Sequence, residues 1–164
     1  MSSAAVTAIP REVRDATSDL LAEYGMAIDQ DRLEDWAALF TPDCDYRVIS
    51  RENEEQGLPN IMIWCDNRDM LLDRIESYRH VNEYNLHWDR HVIGPPRHFG
   101  QVDGLWQVEA AYSAFQTTLE GETRLFSVGR YRLGLRFEDG VARIRTAVVV
   151  ADTGLIPTLL ATPL

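Results

Sequence analysis

The chain has 164 residues, of which 45% are hydrophobic, and a formal net charge of −10 at pH 7. This length is sufficient for one hydrophobic core and short for two, so we expect a single domain over residues 1–164. The acidic excess excludes nucleic acid and anionic membrane surfaces as partners, because both would repel the chain.

The first residues and the cysteines indicate a cytoplasmic protein. No apolar run approaches the ~20 residues that span a bilayer, and residues 1–9 lack the basic start and apolar core of a signal peptide. We therefore expect residues 1–9 to form a flexible N-terminal arm. Cys44 and Cys65 have the spacing of neither a disulfide framework nor a metal site, which predicts reduced, packed thiols.

Two helices are predicted at the start of the chain. The first begins at Pro10, because apolar residues recur after it at steps of three and four. These residues are Val13, Ala16, Leu20, Leu21, Tyr24, Ala27 and Ile28. The second helix is shorter, is capped by Asp29 or Asp31, and ends at Thr41-Pro42. Its apolar face consists of Leu33, Trp36, Leu39 and Phe40.

The middle of the chain combines two short strands with a third helix. Residues 44–49 have strand periodicity, residues 51–60 form a charged surface loop, and residues 61–64 form a second strand. The third helix is capped by Asp66 or Asn67. Its inner face consists of Met70, Leu71, Ile75 and Tyr78.

The segment that follows is less regular. Residues 81–88 lack a clear pattern and are expected to be mobile. Residues 91–94 form a strand that stops at Pro95-Pro96, and residues 97–104 form a connection.

Residues 105–151 predict a β-meander of three long strands. Its turns lie at Glu120-Gly121 and Asp139-Gly140, which accept positive φ at low cost. Alternate residues of the middle strand are apolar, namely Leu125, Tyr131, Leu133, Leu135 and Phe137. The other set forms an arginine row, namely Arg124, Arg130, Arg132 and Arg136, continued on the next strand by Arg143 and Arg145. The predicted fold class is α+β: a curved antiparallel sheet covered by N-terminal helices, forming a cone with a hydrophobic interior.

Three residues near position 90 have the composition of a metal site. His87, His91 and Asp89 match the two-histidine, one-carboxylate set that binds iron. Matches of this size arise by chance, so we interpret the histidines as ordinary and expect no metal site. The chain has no Cys-x-His paired with Cys-x-x-His, which excludes a Rieske cluster within it.

Asp45 and His91 are candidates for catalysis. A desolvated Asp45 inside the cone, facing His91 from another strand, would be a general base of the kind that conical isomerases use. The competing interpretation places Asp45 on the solvent side with Arg47, because the two share strand parity. We favour this second interpretation, since buried carboxylates are rare.

The arginine row and the C-terminal tail, residues 152–164, are candidates for protein contacts. The row is either a solvated face with cross-strand partners such as Glu109 or an interface that meets the carboxylates of a partner chain. The tail is too apolar to be free, so we expect it to pack on a partner or on the sheet. The interface candidates are Arg124, Arg130, Arg132, Arg136, Arg143, Arg145, Leu155, Leu159, Leu160 and Leu164.

Four segments resemble the small (β) subunits of Rieske-type aromatic-ring-hydroxylating dioxygenases. They read FTPDCDYRV (40–48), WCDNRDMLLDRI (64–75), RHVIG (90–94) and TLLATPL (158–164). The resemblance covers nearly the whole chain. It is greatest to the small subunits of enzymes that act on aromatic carboxylates, terephthalate above all.

The resemblance implies a cystatin-like cone shared with nuclear transport factor 2 and ketosteroid isomerase, and a hexamer of three large and three small subunits. In that family the Rieske [2Fe-2S] cluster, the mononuclear Fe(II) and the substrate pocket belong to the large subunit. This chain would then be non-catalytic, in an oxidoreductase that needs O2, NADH and a reductase component. The open alternative is a free-standing isomerase, cyclase or dehydratase that uses Asp45 and His91.

Overall fold

The structure, a computed structural model, describes residues 8–80, 86–157 and 159–164. Most of the predicted arm, and residues 81–85 of the predicted mobile segment, therefore lie outside the described residues. The helices are α1 (Arg11–Asp29), α2 (Leu33–Ala38), α3 (Arg51–Glu55) and α4 (Arg68–His80). The strands are β1 (Phe40–Ser50), β2 (Ile61–Cys65), β3 (His87–Ile93), β4 (Arg97–Val102), β5 (Leu105–Thr118), β6 (Thr123–Glu138) and β7 (Val141–Ala151).

The first and third predicted helices are confirmed as α1 and α4, but Met70, predicted on the inner face of α4, is 40% exposed. The predicted apolar stripe of α1 is buried along most of its length, from Val13 to Ile28. Asn67 caps α4, because its side-chain oxygen accepts a hydrogen bond of 2.9 Å from the N–H of Met70. The capping prediction from the sequence is thus confirmed for Asn67.

The second helix is shorter than predicted. It ends at Ala38, and Phe40 begins β1 instead of completing a helical face. Phe40 pairs with Ile144 of β7, so a ladder contact more than a hundred positions away overrides the local helical pattern.

The described strands form one sheet in the order β2-β1-β7-β6-β5-β3, with β4 also paired to β5. β1 and β7 are parallel, and the other pairs are antiparallel. β5, β6 and β7 are the predicted meander. Its second turn has Asp139 at φ 52° and Gly140 at φ 79°, as a tight hairpin turn requires.

Register shifts bend the sheet and correct one prediction. Ala114 pairs with Ser127 and Phe115 pairs with Leu125, so Phe126 is an extra residue on β6. An extra residue reverses the alternation of side chains beyond it. Phe126 is therefore 8% exposed and Leu125 53% exposed, and the prediction that Leu125 faces the core is wrong.

Three ordered segments lie where the sequence predicted loops. α3 falls in the predicted surface loop, where the Ser50 hydroxyl accepts a hydrogen bond of 3.3 Å from the N–H of Asn53. β4 replaces a predicted connection, and its turn into β5 has positive φ at Asp103 and Gly104. β3 begins at His87, inside the predicted mobile segment.

The core lies between the sheet and the helices that cover its concave face. α1 contacts β3 and β7, while α2 and α4 contact β1. This is the predicted α+β cone, and within the described ranges no helix is both long and apolar enough to cross a membrane. Cys44 and Cys65 are free and buried, as predicted, and burial raises the pKa of the Cys44 thiol to about 11.

Candidate functional site

The outer face of the sheet carries a continuous row of large side chains. Directly opposed residues run from Trp64 through Arg47, Val148 and Arg132 to Glu109, across β2, β1, β7, β6 and β5. Opposed residues of neighbouring strands share a face of the sheet. From Arg130 onward, the predicted arginine row therefore belongs to a wider surface that also contains an exposed tryptophan. The extra residue Phe126 removes Arg124 from this face, so its place in the predicted row is wrong.

Glu54 of α3 holds two arginines of the predicted row. Arg130 lies 3.4 Å from its carboxylate, and Arg132 contacts the same carboxylate. The Glu54 side chain is 18% exposed, whereas Arg130 and Arg132 are 39% and 44% exposed. Sequence reasoning missed Glu54 because α3 was predicted to be a loop.

Asp43 holds two more arginines at the other end of the row. Its carboxylate lies 3.2 Å from Arg136 and 3.0 Å from Arg145. The hydrogen bond from Arg136, followed by one from Thr41, lowers the pKa of Asp43 to about 2. This carboxylate therefore stays charged across the physiological pH range.

The remaining two arginines of the row are also paired. Arg124 lies 3.2 Å from Glu122, and Arg143 donates a hydrogen bond of 2.6 Å to the carbonyl oxygen of Ala38. Each predicted interface arginine thus has a partner within the chain. The row does not need a second chain to supply carboxylates, although whether it forms an interface stays a prediction.

Trp64 and Arg47 form the exposed end of the row. The Arg47 guanidinium stacks over the Trp64 ring at 4.9 Å, and Asp45 holds it with hydrogen bonds of 2.6 and 2.9 Å. Trp64 is 53% exposed, and it lines an open groove of about 650 Å³ beside Glu54. Asp45 therefore lies on the outer face with Arg47, as the favoured interpretation of the sequence predicts.

The alternative catalytic pair of Asp45 and His91 is not assembled. His91 lies on the inner side of β3 and contacts Asp29 at the end of α1, with 2.7 Å between Nδ1 and a carboxylate oxygen. The side chains of His91 and Asp29 are 1% and 5% exposed. No local sequence pattern indicates this pair, because its members are 62 positions apart.

The same contact corrects the predicted caps of α2. Asp29 accepts hydrogen bonds of 3.0 Å from the backbone N–H of His91, so it is committed to β3. Asp31 instead has a positive φ and binds Arg79 at 3.1 Å. The N-cap of α2 is Arg32 with no side-chain cap bond, and both capping predictions are wrong.

The three residues with the composition of an iron site, which the sequence analysis interpreted as ordinary, are divided between two pairs. His87 lies 3.3 Å from Asp89, while His91 pairs with Asp29. Among the described residues no group of three or more histidine, cysteine or acidic side chains is arranged to hold a metal ion.

The tail enters the cone of its own chain. Leu164 is 2% exposed, and its N–H donates a hydrogen bond of 3.2 Å to the hydroxyl of Tyr46. A backbone oxygen of Leu164 accepts a hydrogen bond of 2.5 Å from the hydroxyl of Tyr24. Leu155 and Leu159 stay exposed, at 83% and 51%. The candidate leucines thus differ in exposure, and Leu164 is a core residue rather than an exposed contact residue.

Comparison with known proteins gives consistent results. Residues 11–148 match the family model described as a SnoaL-like domain. The chain is 39% identical to the anthranilate 1,2-dioxygenase small subunit of Burkholderia cepacia, over 84% of this chain and 85% of that protein. It is 35% identical to the terephthalate 1,2-dioxygenase terminal oxygenase component subunit beta 1 of a Comamonas species, over 87% and 93% of the two chains.

A solved structure extends the likeness to three dimensions. The beta subunit of a proposed aromatic-ring-hydroxylating dioxygenase from Novosphingobium aromaticivorans superposes with a TM-score of 0.84 at 40% identity. The match covers 93% of this chain and 97% of that one.

Proposed function

The chain belongs to the SnoaL-like domain family and to the small subunits of aromatic-ring-hydroxylating dioxygenases, and from this premise we propose that it is the non-catalytic partner of a larger oxygenase chain. The proposal rests above all on sequence identity of 35–39% to dioxygenase small subunits over most of the chain. Beside the tail, the described residues enclose a cavity of only about 10 Å³. That space holds about one water molecule, so it has no room for an aromatic substrate.

In this proposal the Rieske [2Fe-2S] cluster, the mononuclear iron and the substrate pocket lie in the larger chain. The substrate is an aromatic carboxylate, with terephthalate as the first compound to test. Anthranilate and terephthalate, named for two relatives, are both aromatic carboxylates. The holoenzyme uses O2, NADH and a reductase component in the cytoplasm.

The outer face of the sheet supplies the contact in an α3β3 hexamer. Tryptophan and arginine are enriched at protein interfaces, and Trp64, Arg47 and Arg132 line one open groove. Intramolecular carboxylates already orient Arg47, Arg130 and Arg132, so a partner meets guanidinium groups held in place. Preorganised side chains lose less conformational entropy on binding.

Co-expression with the candidate larger chain tests this proposal. We expect light scattering to show equal numbers of both chains in a complex of six, and elemental analysis to assign the iron to the larger chain. Oxygen uptake with terephthalate, NADH and the reductase should then exceed that of either chain alone. A small chain that stays separate from its candidate partner at tens of micromolar would contradict the proposal.

Paired variants locate the contact. Trp64→Ala should weaken the complex about tenfold or more, as expected for a central aromatic residue of an interface. Leu119→Ala removes a side chain of similar exposure (58%) in the β5–β6 turn, and it should leave assembly unchanged. Thermal unfolding of both isolated variants confirms that the chain itself is intact.

A further inference from the structure

A second group of exposed side chains lies on the outer face of the sheet, at the opposite end from Trp64. The strand at this end is β3, whereas Trp64 lies on β2 at the other end. Trp88, Arg90 and Val92 alternate along β3 with residues that face the interior, so the three share the outer face. Trp88 and Val92 are each more than half exposed. Phe115 of β5 lies directly opposite Arg90 and adds a half-buried aromatic ring to the group.

The register shift in β6 adds Leu125 to this group. Leu125 lies directly opposite Phe115, and the extra residue Phe126 turns it outward. Its side chain is also more than half exposed. We call the group the β3 patch, which consists of Trp88, Arg90, Val92, Phe115 and Leu125. Exposed apolar side chains that are gathered in one patch are typical of protein contacts, whereas single ones are normal on any surface.

Arg90 gives the β3 patch a positive charge that the chain neutralises weakly. Its guanidinium is 73% exposed and lies 3.8 Å from Asp29. That carboxylate is already committed to His91, which it meets at 2.7 Å from Nδ1 and through the backbone N–H. The charge of Arg90 is therefore available to a carboxylate of another chain, where a charge-assisted hydrogen bond would form.

α4 presents the complementary features on the opposite side of the chain. Met70 is 40% exposed, and Asp73 follows it by three positions, so the two side chains are neighbours on the helix surface. Asp73 is exposed as well. α4 covers the concave face of the sheet, where it contacts β1 and β2, far from β3 in the strand order. The β3 patch and α4 therefore cannot meet within one chain, but those of two copies can.

We propose that the β3 patch binds α4 of a second copy of this chain, with Arg90 on Asp73 and with Met70 against Trp88 and Val92. A second copy is complementary in charge, because the chain has 26 acidic residues and 16 basic ones. The sulfur of methionine also makes favourable contacts with aromatic rings. Because the two surfaces differ, the contact is heterologous, and a heterologous contact generates a ring when the rotation between copies closes. The inference rests on the proposed function for the size of that ring, which is the three small chains of the α3β3 hexamer.

Cysteine trapping tests the contact in the full chain without the larger chain. Val92→Cys and Met70→Cys are purified separately, mixed in equal amounts and oxidised with copper phenanthroline, and linked pairs are measured on non-reducing gels. Cys44 and Cys65 are buried, so the parent chain gives the background. We expect mixed pairs to exceed pairs of either variant with itself by at least about fivefold, because a heterologous contact joins unlike surfaces.

Val102→Cys is the matched control for Val92→Cys. The two valines are 57% and 58% exposed, but Val102 pairs with Leu105, at the opposite end of β5 from Phe115. We expect Val102→Cys to link to Met70→Cys no faster than the parent background. Equal linking of the two valine positions to Met70→Cys, or mixed pairs that do not exceed like pairs, overturns the proposal.

An exchange of charges tests the ion pair itself. Arg90→Glu and Asp73→Lys should each weaken self-association at least about fivefold in sedimentation velocity runs, because each places like charges together. The double variant should return to within about twofold of the parent chain, since its charges are again opposite. A folded double variant that associates as weakly as the single variants overturns the pairing, and thermal melts establish that it is folded.

The outcomes separate this inference from the proposed function. A chain that forms mixed pairs but does not bind the larger chain contradicts the proposed function alone. A chain that binds the larger chain through Trp64 and forms no mixed pairs contradicts the β3–α4 contact alone.

Discussion

Replacing Leu164 by alanine tests whether the end of the tail belongs to the core of its own chain. The Leu164 side chain is 2% exposed, and truncation of a buried leucine typically lowers the free energy of unfolding by ~2–5 kcal/mol. The tail can undock locally instead of leaving a full cavity, so we expect about 2–3 kcal/mol. Leu159→Ala is the matched control. The Leu159 side chain is 51% exposed, so the same substitution should lower the free energy of unfolding by less than about 0.5 kcal/mol.

Urea unfolding of the isolated chain, followed by far-UV circular dichroism, measures both variants. A shift of the midpoint at constant slope reports a change in stability rather than a change in the unfolded state. The interface interpretation of Leu164 predicts the opposite pattern, namely weakened assembly with an unchanged isolated chain. Two variants that unfold within about 0.5 kcal/mol of each other would show that the tail is not part of the core.

Three further changes test individual contacts. Gly129→Ala should lower the free energy of unfolding by at least ~2 kcal/mol, because a Cβ there would lie 2.0 Å from a carbonyl oxygen of β7. Gly94→Ala is the control in the same denaturation measurements, because its Cβ would have its nearest contact at 3.6 Å. Burial lowers the pKa of His98 in the folded chain. Stability should therefore fall as pH drops below ~6.5, the pKa of a histidine in the unfolded chain. His98→Gln should weaken this pH dependence in thermal melts. Glu54→Gln should lower the free energy of unfolding by about 1–2 kcal/mol, because it leaves two arginines without their carboxylate. Glu55→Gln removes an exposed ion pair and should lower it by under about 0.5 kcal/mol in the same melts.

The elements that the sequence predicted correctly are those whose signal is local and repeated. α1 carries its apolar stripe over 19 residues, so a single wrong position, such as Thr17 buried in place of Ala16, does not change the outcome. The meander is similarly robust, because period-two alternation and the Asp139-Gly140 turn indicate the same hairpin. A second Asp-Gly pair, at Asp103, carried the same signal for the turn after β4 and was not used.

The failures of prediction occur where one inserted residue or one distant contact decides the structure. The extra residue Phe126 reverses the exposure of Leu125, and alternation alone does not show where such a bulge lies. Phe40 belongs to β1 because it pairs with the parallel strand β7. The residues next to Phe40 in the sequence do not indicate this pairing.

The interior of the cone was the least predictable part of the chain. Asp29 has the residue type and position of a helix cap, and only the approach of β3 shows that it binds His91 instead. The apolar tail was expected from its composition to need a surface to pack on. Its composition, however, does not distinguish a partner chain from the interior of its own cone.

The pairing of the arginine row changes how assembly should depend on salt. An unpaired basic row would attract an acidic partner over about one Debye length and would lose that attraction as salt is added. Here Glu54 and Asp43 halve the net charge of the four arginines that they bind, which leaves short-range hydrogen bonds and stacking around Trp64 as the main contacts of the outer face. We therefore expect the dissociation constant of the complex with the larger chain to change less than about threefold between roughly 0.05 and 0.5 M NaCl, as measured by light scattering. A change of tenfold or more would show that the row acts through net charge, and Glu54→Gln, which uncovers two arginines, should then steepen the salt dependence further.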